Sequence, residues 1–301
     1  MEDNITAIVL SRNNGDTLEG CLKSVVNSLP HDKEVIVVDG KSTDNTSEIL
    51  GKYKDQVKVI YDEGKGLGWA RNLGVKTASH NIIAFVDSDV ICAKDHFQKF
   101  LNYYHHHPDI DAVDTAGRHP EIGTKLQKLE SLFWKIGEHF SKQTVLRGWS
   151  MSARRKVFDA VGSFPRGGCD DIYFSYEARI KGFKLATIST NSWHMPRPTL
   201  TALFKELQNW AHYGAYFYDT YKDSPITKHD HKNRKLAWLF PNIKILIFVA
   251  HLASPVTGVP YLRKSRKVSL YLYFILRQYI WLLGYVRANW EIQFHREDLF
   301  A

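Results

Sequence analysis

Two carboxylates separated by one residue, Asp87 and Asp89, directly follow the apolar segment 81–86. Carboxylates at positions i and i+2 of an extended chain project to the same side and can reach one ligand. Two hard oxygen ligands suit Mg²⁺ or Mn²⁺ held together with substrate phosphates. A solvated acidic turn is the ordinary alternative, but the position after a buried strand favours metal binding.

Two other polar residues occupy places where a nucleotide could bind. Asp39 ends an apolar run and precedes Gly40, so its carboxylate could accept hydrogen bonds from a base N–H or a ribose hydroxyl; capping of the next helix is the alternative. Arg71 lies in the glycine-dotted segment 64–74, where the backbone can approach a ligand and the guanidinium could meet phosphate oxygens. An exposed helical arginine is the alternative there.

A third group of candidates lies later in the chain. Asp170 and Asp171 follow two glycines at the predicted N-terminus of a helix over 172–181. They could favour that terminus through the helix dipole, or one could be a general base that takes a proton from an attacking hydroxyl. His194 follows a predicted strand and is either a third metal ligand or an ordinary packing residue.

Strands and helices alternate at short spacing in the first part of the chain. Apolar, β-branched runs predict strands at 5–10, 34–39, 56–61 and 81–86, with helices at 17–28, after 42–44, and at 67–78. This alternation predicts an α/β fold with a Rossmann-like, mostly parallel sheet covered by helices. Ligands bind such sheets at the carboxyl ends of the strands, where Asp39 and Asp87 stand.

The pattern changes after residue 110. Segments 110–198 are less regular, with a helix over 125–142, strands at 148–153 and 184–189, and a basic turn at 154–156. From 199 onward the pattern is helical, with apolar or aromatic stretches at 203–221, 236–253 and 268–287. We therefore predict two domains, a ligand-binding domain at 1–198 and a helical, aromatic- and basic-rich region at 199–301.

The two predicted domains differ in net charge and in aromatic content. The net charge is +8, of which +1 falls in residues 1–198 and +7 in residues 199–301. The last part also carries 20 of the 39 aromatic residues. Because the predicted sheet domain is electrically balanced, a nucleic-acid-binding protein is disfavoured, and basic-aromatic apolar helices favour a membrane surface as partner.

The cysteines and the amino terminus indicate the redox compartment and whether a targeting segment is present. Cys21, Cys92 and Cys169 show no metal-ligand spacing, which disfavours a zinc ribbon or a disulfide framework and fits a reducing compartment. The start is acidic and no long apolar run follows it, so we expect no signal peptide or N-terminal anchor.

Five segments together resemble the ordered signatures of family-two inverting glycosyltransferases. Each is weak alone, but their order is specific; they lie at 37–44, 68–74, 85–89, 169–171 and 193–194. The resemblance covers about residues 4–198. It implies one α/β domain that binds a nucleotide-diphospho-sugar together with Mn²⁺ or Mg²⁺.

The resemblance also implies roles for individual residues. Asp39 would contact the nucleoside and Arg71 the nucleotide or its phosphates. Asp87 and Asp89 would bind the metal and diphosphate, with His194 approaching the metal. Asp171 would be the catalytic base and Asp170 would support the acceptor. Gly148 and Trp149 begin a loop, 148–151, that we expect to shape the binding of donor sugar or acceptor.

Two departures from the family pattern bear on the reaction. Members often carry an acid two residues after the base and an arginine six residues after it, where this chain has Tyr173 and Glu177. No Gln-x-x-Arg-Trp motif of processive members is present. The resemblance therefore implies transfer of one hexose from a UDP- or GDP-sugar to a hydroxyl of a lipid-linked glycan or similar acceptor.

Two other functions compete with this interpretation. A polyprenyl- or dolichyl-phosphate sugar synthase has an anionic acceptor and little need of a base such as Asp171. A non-catalytic membrane-surface adaptor with a nucleotide-binding domain should have lost some of the acids, yet Asp87, Asp89, Asp170 and Asp171 are all present.

The helical region could cross a membrane or lie on its surface. A span needs ~20 apolar residues. Stretch 236–253 contains Pro241 and Lys244, and stretch 268–287 has Arg277 at its middle, where an arginine costs about 2.5–3.5 kcal/mol. We therefore favour helices in the interface at the cytoplasmic face of a membrane; one C-terminal span and a soluble helical cap are the alternatives.

Overall fold

The structure is a computed structural model that describes residues 4–30, 34–118, 120–137, 145–165, 169–221, 224, 248 and 250–294. The chain divides into two compact units. The first comprises Met1–Arg118 and Lys142–Met195, and the second comprises His119–Ser141 and Pro196–Ala301. The division expected from the sequence, at 198, placed 119–141 with the sheet; in the structure this segment belongs to the helical unit.

The first unit contains one eight-stranded sheet and six helices in its described part. The strands are β1 (Ile5–Ser11), β2 (Glu34–Asp39), β3 (Lys58–Tyr61), β4 (Ile82–Asp87), β5 (Val90–Ile91), β6 (Ala112–Arg118), β7 (Ser150–Arg154) and β8 (Leu185–His194). The helices are α1 (Gly15–Ser28), α2 (Thr46–Lys52), α3 (Leu67–Thr77), α4 (His96–His106), α6 (Arg155–Val161) and α7 (Asp170–Ile180).

The strand order is β3-β2-β1-β4-β7-β6-β8-β5. The four strands on the β3 side pair in parallel, as does β6 with β8, whereas β7 and β5 run antiparallel to their neighbours. The predicted α/β fold with a mostly parallel sheet is confirmed. Register places Ser11 of β1 opposite Asp39 and Leu10 opposite Asp87, so the two acids flank the carboxyl end of β1.

Apolar side chains cover both faces of the sheet. One cluster joins β1, β2 and β4 to helices α1 and α4, and contains Leu18, Leu22, Phe97 and Phe100. The other joins the opposite face to α3, α6 and α7, and is centred on Phe85. Strands buried on both faces need nearly continuous apolar sequence, which is why the segments at 5–10, 34–39 and 81–86 predicted them.

The first unit differs from expectation in its unpredicted elements and at residues 154–156. Strand β5, helix α4 and strand β6 have no counterpart among the predicted elements. The predicted basic turn at 154–156 is wrong: Arg154 ends β7 and Arg155 begins α6. Arg155 donates to the carbonyls of Ala78 and His80, at 2.7 and 2.8 Å, so it binds the chain that leaves α3. Gly167 and Gly168 lie outside the described residues.

The second unit is helical where it is described. Its helices are α5 (Lys125–Gly137), α8 (Leu200–Tyr221), α9 (Ser254–Thr257), α10 (Val259–Ser265) and α11 (Val268–Phe294). Most of the predicted stretch 236–253, and the end of the predicted helix 125–142, lie outside the described residues. In the described part, no helix combines the length and the apolar character needed to cross a membrane.

A buried ion pair lies inside this helical unit. Arg277 of α11 donates to both carboxylate oxygens of Glu130 in α5, and its guanidinium lies 4.4 Å from the Phe133 ring centre. Trp134 donates to the same carboxylate at 2.8 Å. The charge at the middle of the 268–287 stretch is therefore neutralised within the protein.

Candidate active site

The turn after β4 brings three metal-type ligands together. Asp87 ends β4, Asp89 lies in the following turn, and β5 then pairs with β8 so that Val90 stands opposite His194. The ligand atoms of Asp87, Asp89 and His194 all lie within 4.8 Å of one another. Asp89 Oδ1 and His194 Nε2 are 3.1 Å apart.

This donor set fits a divalent cation. Two carboxylate oxygens and one imidazole nitrogen are ligands that Mn²⁺ accepts, and carboxylates also suit Mg²⁺. Loss of hydration raises the pKa of Asp87 to about 6; the Arg71 guanidinium opposes this shift and the charge of Asp89 adds to it. A cation between the acids would offset the cost of placing two negative charges together.

Arg71 is buried, so the alternative of an exposed helical arginine is wrong. Its side chain is 2% exposed, and its guanidinium lies 4.7 Å from the Phe85 ring centre. Nε donates to the Asp170 carboxylate, and Nη2 lies 3.9 Å from Asp87 Oδ1. Burial lowers the pKa of Arg71, but the charges of Asp170, Asp87 and Asp171 outweigh it and raise the pKa.

One nitrogen of this arginine is left over. Nη1 of Arg71 is buried and has no hydrogen-bond partner among the residues that the structure describes. A buried charged donor without a partner carries a desolvation cost that a ligand oxygen can remove. Beside the carboxylates of the candidate metal site, that oxygen fits a phosphate.

The adjacent acids at the start of α7 have different surroundings. Asp170 is 3% exposed and pairs with Arg71, so its charge is already compensated. Asp171 is half-buried; its Oδ2 accepts from Gly148 N at 3.0 Å and its Oδ1 from Ile172 N at 2.8 Å. Loss of hydration, together with the charge of Asp170, raises the pKa of Asp171 to about 6. A base with a pKa near neutrality is well matched to proton abstraction.

The loop that begins at Gly148 lies against these groups. A Cβ at Gly148 would stand 3.1 Å from Asp171 Cβ and 3.2 Å from Arg71 Nη2, so the close approach favours glycine. Trp149 stacks on His194 with ring centres 5.9 Å apart and planes 22° apart. The structure thus brings Gly148 and Trp149 of the predicted loop 148–151 beside the candidate base and the candidate metal ligands, whereas Ser150 and Met151 belong to β7.

Gly117 supports this tryptophan and was not anticipated. A Cβ on Gly117 of β6 would lie 2.2 Å from the Trp149 ring, so only glycine lets the indole lie across the strand. The available signal was a glycine inside a strand-like sequence, which often marks the close approach of another group.

Asp39 takes part in a turn and caps no helix. Its carboxylate accepts hydrogen bonds from the backbone N–H and the hydroxyl of Ser42, and α2 begins only at Thr46. The buried Asp62, after β3, makes a similar turn by accepting from Gly64 N at 2.7 Å. Asp62 was not among the predicted residues, although it too follows a predicted strand.

The sequence profile of glycosyl transferase family 2 matches residues 6–161, more than half of the chain. The chain belongs to that family. The resemblance drawn from its ordered motifs is confirmed, and the chain is a glycosyltransferase. The matched segment contains Asp39, Arg71, Asp87, Asp89 and the Gly148 loop, whereas Asp170, Asp171 and His194 lie beyond its end.

Curated relatives of this glycosyltransferase are similar over part of their length. A poly-β-1,6-N-acetyl-D-glucosamine synthase of Staphylococcus aureus (strain MSSA476) is 25% identical over 225 residues, 70% of this chain and 55% of the relative. The glycosyltransferase EpsH of Bacillus subtilis (strain 168), whose assignment is itself provisional, is 27% identical over 210 residues, 64% of this chain and 61% of the relative. The chain thus spans little more than half the length of these proteins.

Solved glycosyltransferase structures share the fold. The mannosyltransferase PcManGT from Pyrobaculum calidifontis, in complex with GDP-Man and Mn²⁺, has a TM-score of 0.63 at 19% identity and covers 95% of this chain and 87% of its own. TarS 1–349 of S. aureus with UDP-GlcNAc has a TM-score of 0.53 at 17% identity, covering 96% and 91%. A glucosyl-3-phosphoglycerate synthase from Mycobacterium tuberculosis, with Mn²⁺ and UDP, has a TM-score of 0.52 at 21% identity and covers 69% of this chain and 76% of its own.

Proposed function

We propose that the protein is an inverting glycosyltransferase that moves one hexose from a UDP- or GDP-sugar to a hydroxyl of a lipid-linked glycan or similar acceptor, with Mn²⁺ or Mg²⁺. One observation carries the proposal. The ligand set of Asp87, Asp89 and His194 lies beside Arg71, whose buried Nη1 has no hydrogen-bond partner in the described part of the chain. A diphosphate satisfies both requirements, since its oxygens bind a divalent cation and accept from a guanidinium.

The residues divide the reaction between them. A divalent cation, when bound, neutralises negative charge on the departing nucleotide diphosphate. Arg71 donates from Nη1 to a phosphate oxygen, while its bond to Asp170 holds the guanidinium in place. Asp171 takes the proton from the acceptor hydroxyl, whose oxygen forms a bond to the anomeric carbon as the bond to the diphosphate oxygen breaks. A single displacement inverts the anomeric configuration.

Structural neighbours support the donor class. PcManGT was solved with GDP-Man and Mn²⁺, and TarS with UDP-GlcNAc. A nucleotide-diphospho-sugar is therefore a donor that this fold accepts, with either base. We assign Asp39 to the nucleoside and the Gly148–Trp149 loop to the sugar or acceptor, because the first flanks β1 and the second lies against Asp171.

The surroundings of Asp171 favour a hydroxyl acceptor over a phosphate acceptor. A polyprenyl-phosphate sugar synthase attacks with an oxygen that is already anionic, so it requires no base. Here the pKa of Asp171 is raised to about 6 by lost hydration and by Asp170, which suits a group that accepts a proton near neutral pH.

A nucleotide-release assay with a panel of UDP- and GDP-hexoses and hydroxyl acceptors, with and without Mn²⁺, tests the proposal. We expect acceptor-dependent release that requires the metal, is lost in Asp89→Ala and persists in Asp55→Ala, which removes an exposed acid beyond α2. Full turnover in excess chelator would refute the metal-dependent reaction, and transfer to a polyprenyl phosphate alone would establish the alternative.

We also propose that the helical unit binds the surface of an anionic membrane, such as a cytoplasmic leaflet. Large apolar residues recur on α11 at spacings of three and four and are 37–63% exposed: Val268, Leu272, Leu276, Tyr279, Leu283, Val286 and Trp290. Residues 263–267, just before α11, contribute four cationic side chains, all of them exposed. An apolar stripe with aromatic residues beside a basic cluster suits anionic lipid.

Flotation with vesicles of anionic or neutral lipid tests this partner. We expect the chain to float with anionic vesicles, and Leu276→Glu/Leu283→Glu to remain in solution, while Gln98→Glu, at an exposed position of α4, floats normally. If the wild type is instead a stable dimer in solution that the double variant converts to a monomer, the stripe binds a second copy and the membrane proposal is wrong.

A further inference from the structure

A completely buried histidine lies behind the candidate metal site. His96 begins α4 and is 0% exposed, and its ring packs in a T-shaped arrangement on Phe97 and on Phe100, with ring centres 4.9 and 5.1 Å apart. Its Nε2 is 3.1 Å from Ser150 Oγ and its Nδ1 is 2.8 Å from Ser192 Oγ. Both ring nitrogens therefore have hydroxyl partners inside an otherwise apolar cluster.

The two serines belong to the chain segments that carry the site. Ser150 directly follows Trp149, whose carbonyl accepts from Asp87 N at 3.0 Å. Ser192 lies two residues before His194 in β8. The His96 imidazole thus connects two segments. One carries Trp149 and lies beside Asp87, and the other carries the candidate ligand His194.

The backbone joins these two segments indirectly, through the bond from Asp87 N to the Trp149 carbonyl and the two-residue pairing of β5 with β8. Strand β6 separates β7 from β8 in the sheet, so no ladder of backbone hydrogen bonds joins the two strands directly. The pairing of β6 with β8 also changes register between Ala116 and Arg118, close to where the indole crosses Gly117. A side-chain connection across β6 can therefore set a separation that the irregular ladder leaves less well defined.

A neutral imidazole can pair with both serines. Ser192 Oγ accepts from Ala93 N at 2.9 Å and shares a second hydrogen bond with His96 Nδ1. In either neutral tautomer one ring nitrogen donates and the other accepts, and each serine hydroxyl can take the complementary role. The ring is neutral, because burial lowers the pKa of His96 to about 3. A phenyl ring of similar size would remove one partner from each serine.

We propose that His96 is a positioning residue of the metal site, which sets the separation of the chain segments bearing Trp149 and His194 and thereby the approach of His194 to Asp87 and Asp89. The inference rests on the metal binding in the proposed function. His96 touches neither substrate nor metal ligand, and it acts through Ser150 and Ser192.

Mn²⁺ titration of the full chain, followed by the electron paramagnetic resonance of free Mn²⁺, tests the proposal without an activity assay. We expect His96→Phe to weaken Mn²⁺ binding by about tenfold, the low end of effects seen for outer-shell partners of metal ligands. Ser192→Ala should weaken it in the same direction by a smaller factor. His96→Gln, which keeps one donor and one acceptor, should restore part of the affinity.

Tyr104→Phe is the matched control. Tyr104 also lies on α4 and makes a buried hydrogen bond to β7, at 3.0 Å from the Ser152 carbonyl, but further along the strand from Trp149. Its loss should lower the melting temperature and leave the Mn²⁺ affinity unchanged. A general loss of packing would affect both variants alike.

The outcomes separate this inference from the proposed function. If the wild type binds Mn²⁺ and both His96→Phe and Ser192→Ala retain its affinity, or if Tyr104→Phe weakens it equally, the positioning role is refuted and the metal site stands. If the wild type binds no Mn²⁺, both proposals fail. Should His96→Phe not fold, the comparison of Ser192→Ala with Tyr104→Phe decides.

Discussion

Each unit contains an arginine that is buried against aromatic rings and paired with a carboxylate. Arg71 is 2% exposed, pairs with Asp170 and lies 4.7 Å from the Phe85 ring centre. Arg277 is 4% exposed, pairs with Glu130 and lies 4.4 Å from the Phe133 ring centre. Composition and burial do not distinguish the two pairs.

The remaining partners do distinguish them. Arg277 donates twice to Glu130, whose carboxylate also accepts from Trp134, and its own Nη1 lies 3.4 Å from the Tyr273 hydroxyl. Arg71 lies 3.9 Å from a second carboxylate, Asp87, and keeps one buried nitrogen without a partner in the described part of the chain. A buried charge with a spare donor beside excess acids is arranged for a ligand, whereas Arg277, which has no buried unpartnered nitrogen in the described part of the chain, is arranged for packing.

The largest expected effect is on transfer in the first unit. Asp171→Asn is nearly isosteric but cannot take a proton, so we expect transfer to fall by roughly 10²–10⁴ with donor binding within a few-fold of wild type. Single-turnover transfer and nucleotide-sugar titration measure the two quantities. Collapse of donor binding would mean that Asp171 only stabilises the start of α7, and unchanged transfer would remove its role as base.

In the second unit, we expect removal of one partner of the Arg277–Glu130 pair to lower the free energy of unfolding. Glu130→Leu leaves Arg277 buried without its carboxylate, and we expect a loss of about 3–5 kcal/mol in the free energy of unfolding. Adding Arg277→Met should recover most of this loss, because the pair is then replaced by apolar packing. Denaturant unfolding measures both variants. If the variant with both Glu130→Leu and Arg277→Met transfers sugar more slowly per folded molecule, the ion pair contributes to transfer as well as to stability.

Replacing each arginine by lysine sharpens the contrast. Arg71→Lys keeps the charge but loses the planar fork, so we expect donor binding weaker by roughly 10–100-fold, matching ~1.5–3 kcal/mol for a hydrogen bond to a charged group. Arg277→Lys should lower the melting temperature and leave donor affinity unchanged. Calorimetric titration with nucleoside diphosphate and Mn²⁺ provides the comparison; equal losses in both variants would contradict it.

The smallest expected effect is on pH dependence. Because the pKa of Asp171 is raised to about 6, kcat/KM should fall on the acid side with that midpoint, by about tenfold one pH unit below it. Asp171→Asn should lose this limb. For stability the sign is opposite: the folded protein holds the proton more tightly than the unfolded chain, so the contribution present at low pH is lost as pH rises through about 6. A rate independent of pH between 5 and 7 would argue against the base.

Much of the sheet was predictable because its strands are buried on both faces. Strand β2 has the predicted bounds, Glu34–Asp39, and α3 begins at the predicted Leu67. Strand β5 was missed because two residues carry no periodicity, whereas α4 was missed although its buried apolar residues, Phe97, Phe100, Leu101 and Tyr104, recur at helical spacing. Packing of Phe97 and Phe100 in the core of the first unit stabilises that helix.

The sequence by itself determined the alternation of strands and helices, the family motifs and the placing of Asp39 and Asp87 at strand ends, because these follow from local pattern. Only the tertiary structure decided which charges meet. Arg71 and Asp170 are 99 residues apart and Arg277 and Glu130 are 147 apart. Burial and ion pairing depend on which surfaces pack together, and so do the neutral state of His96 and the raised pKa of Asp171. A pattern of residue types along the chain does not contain that information.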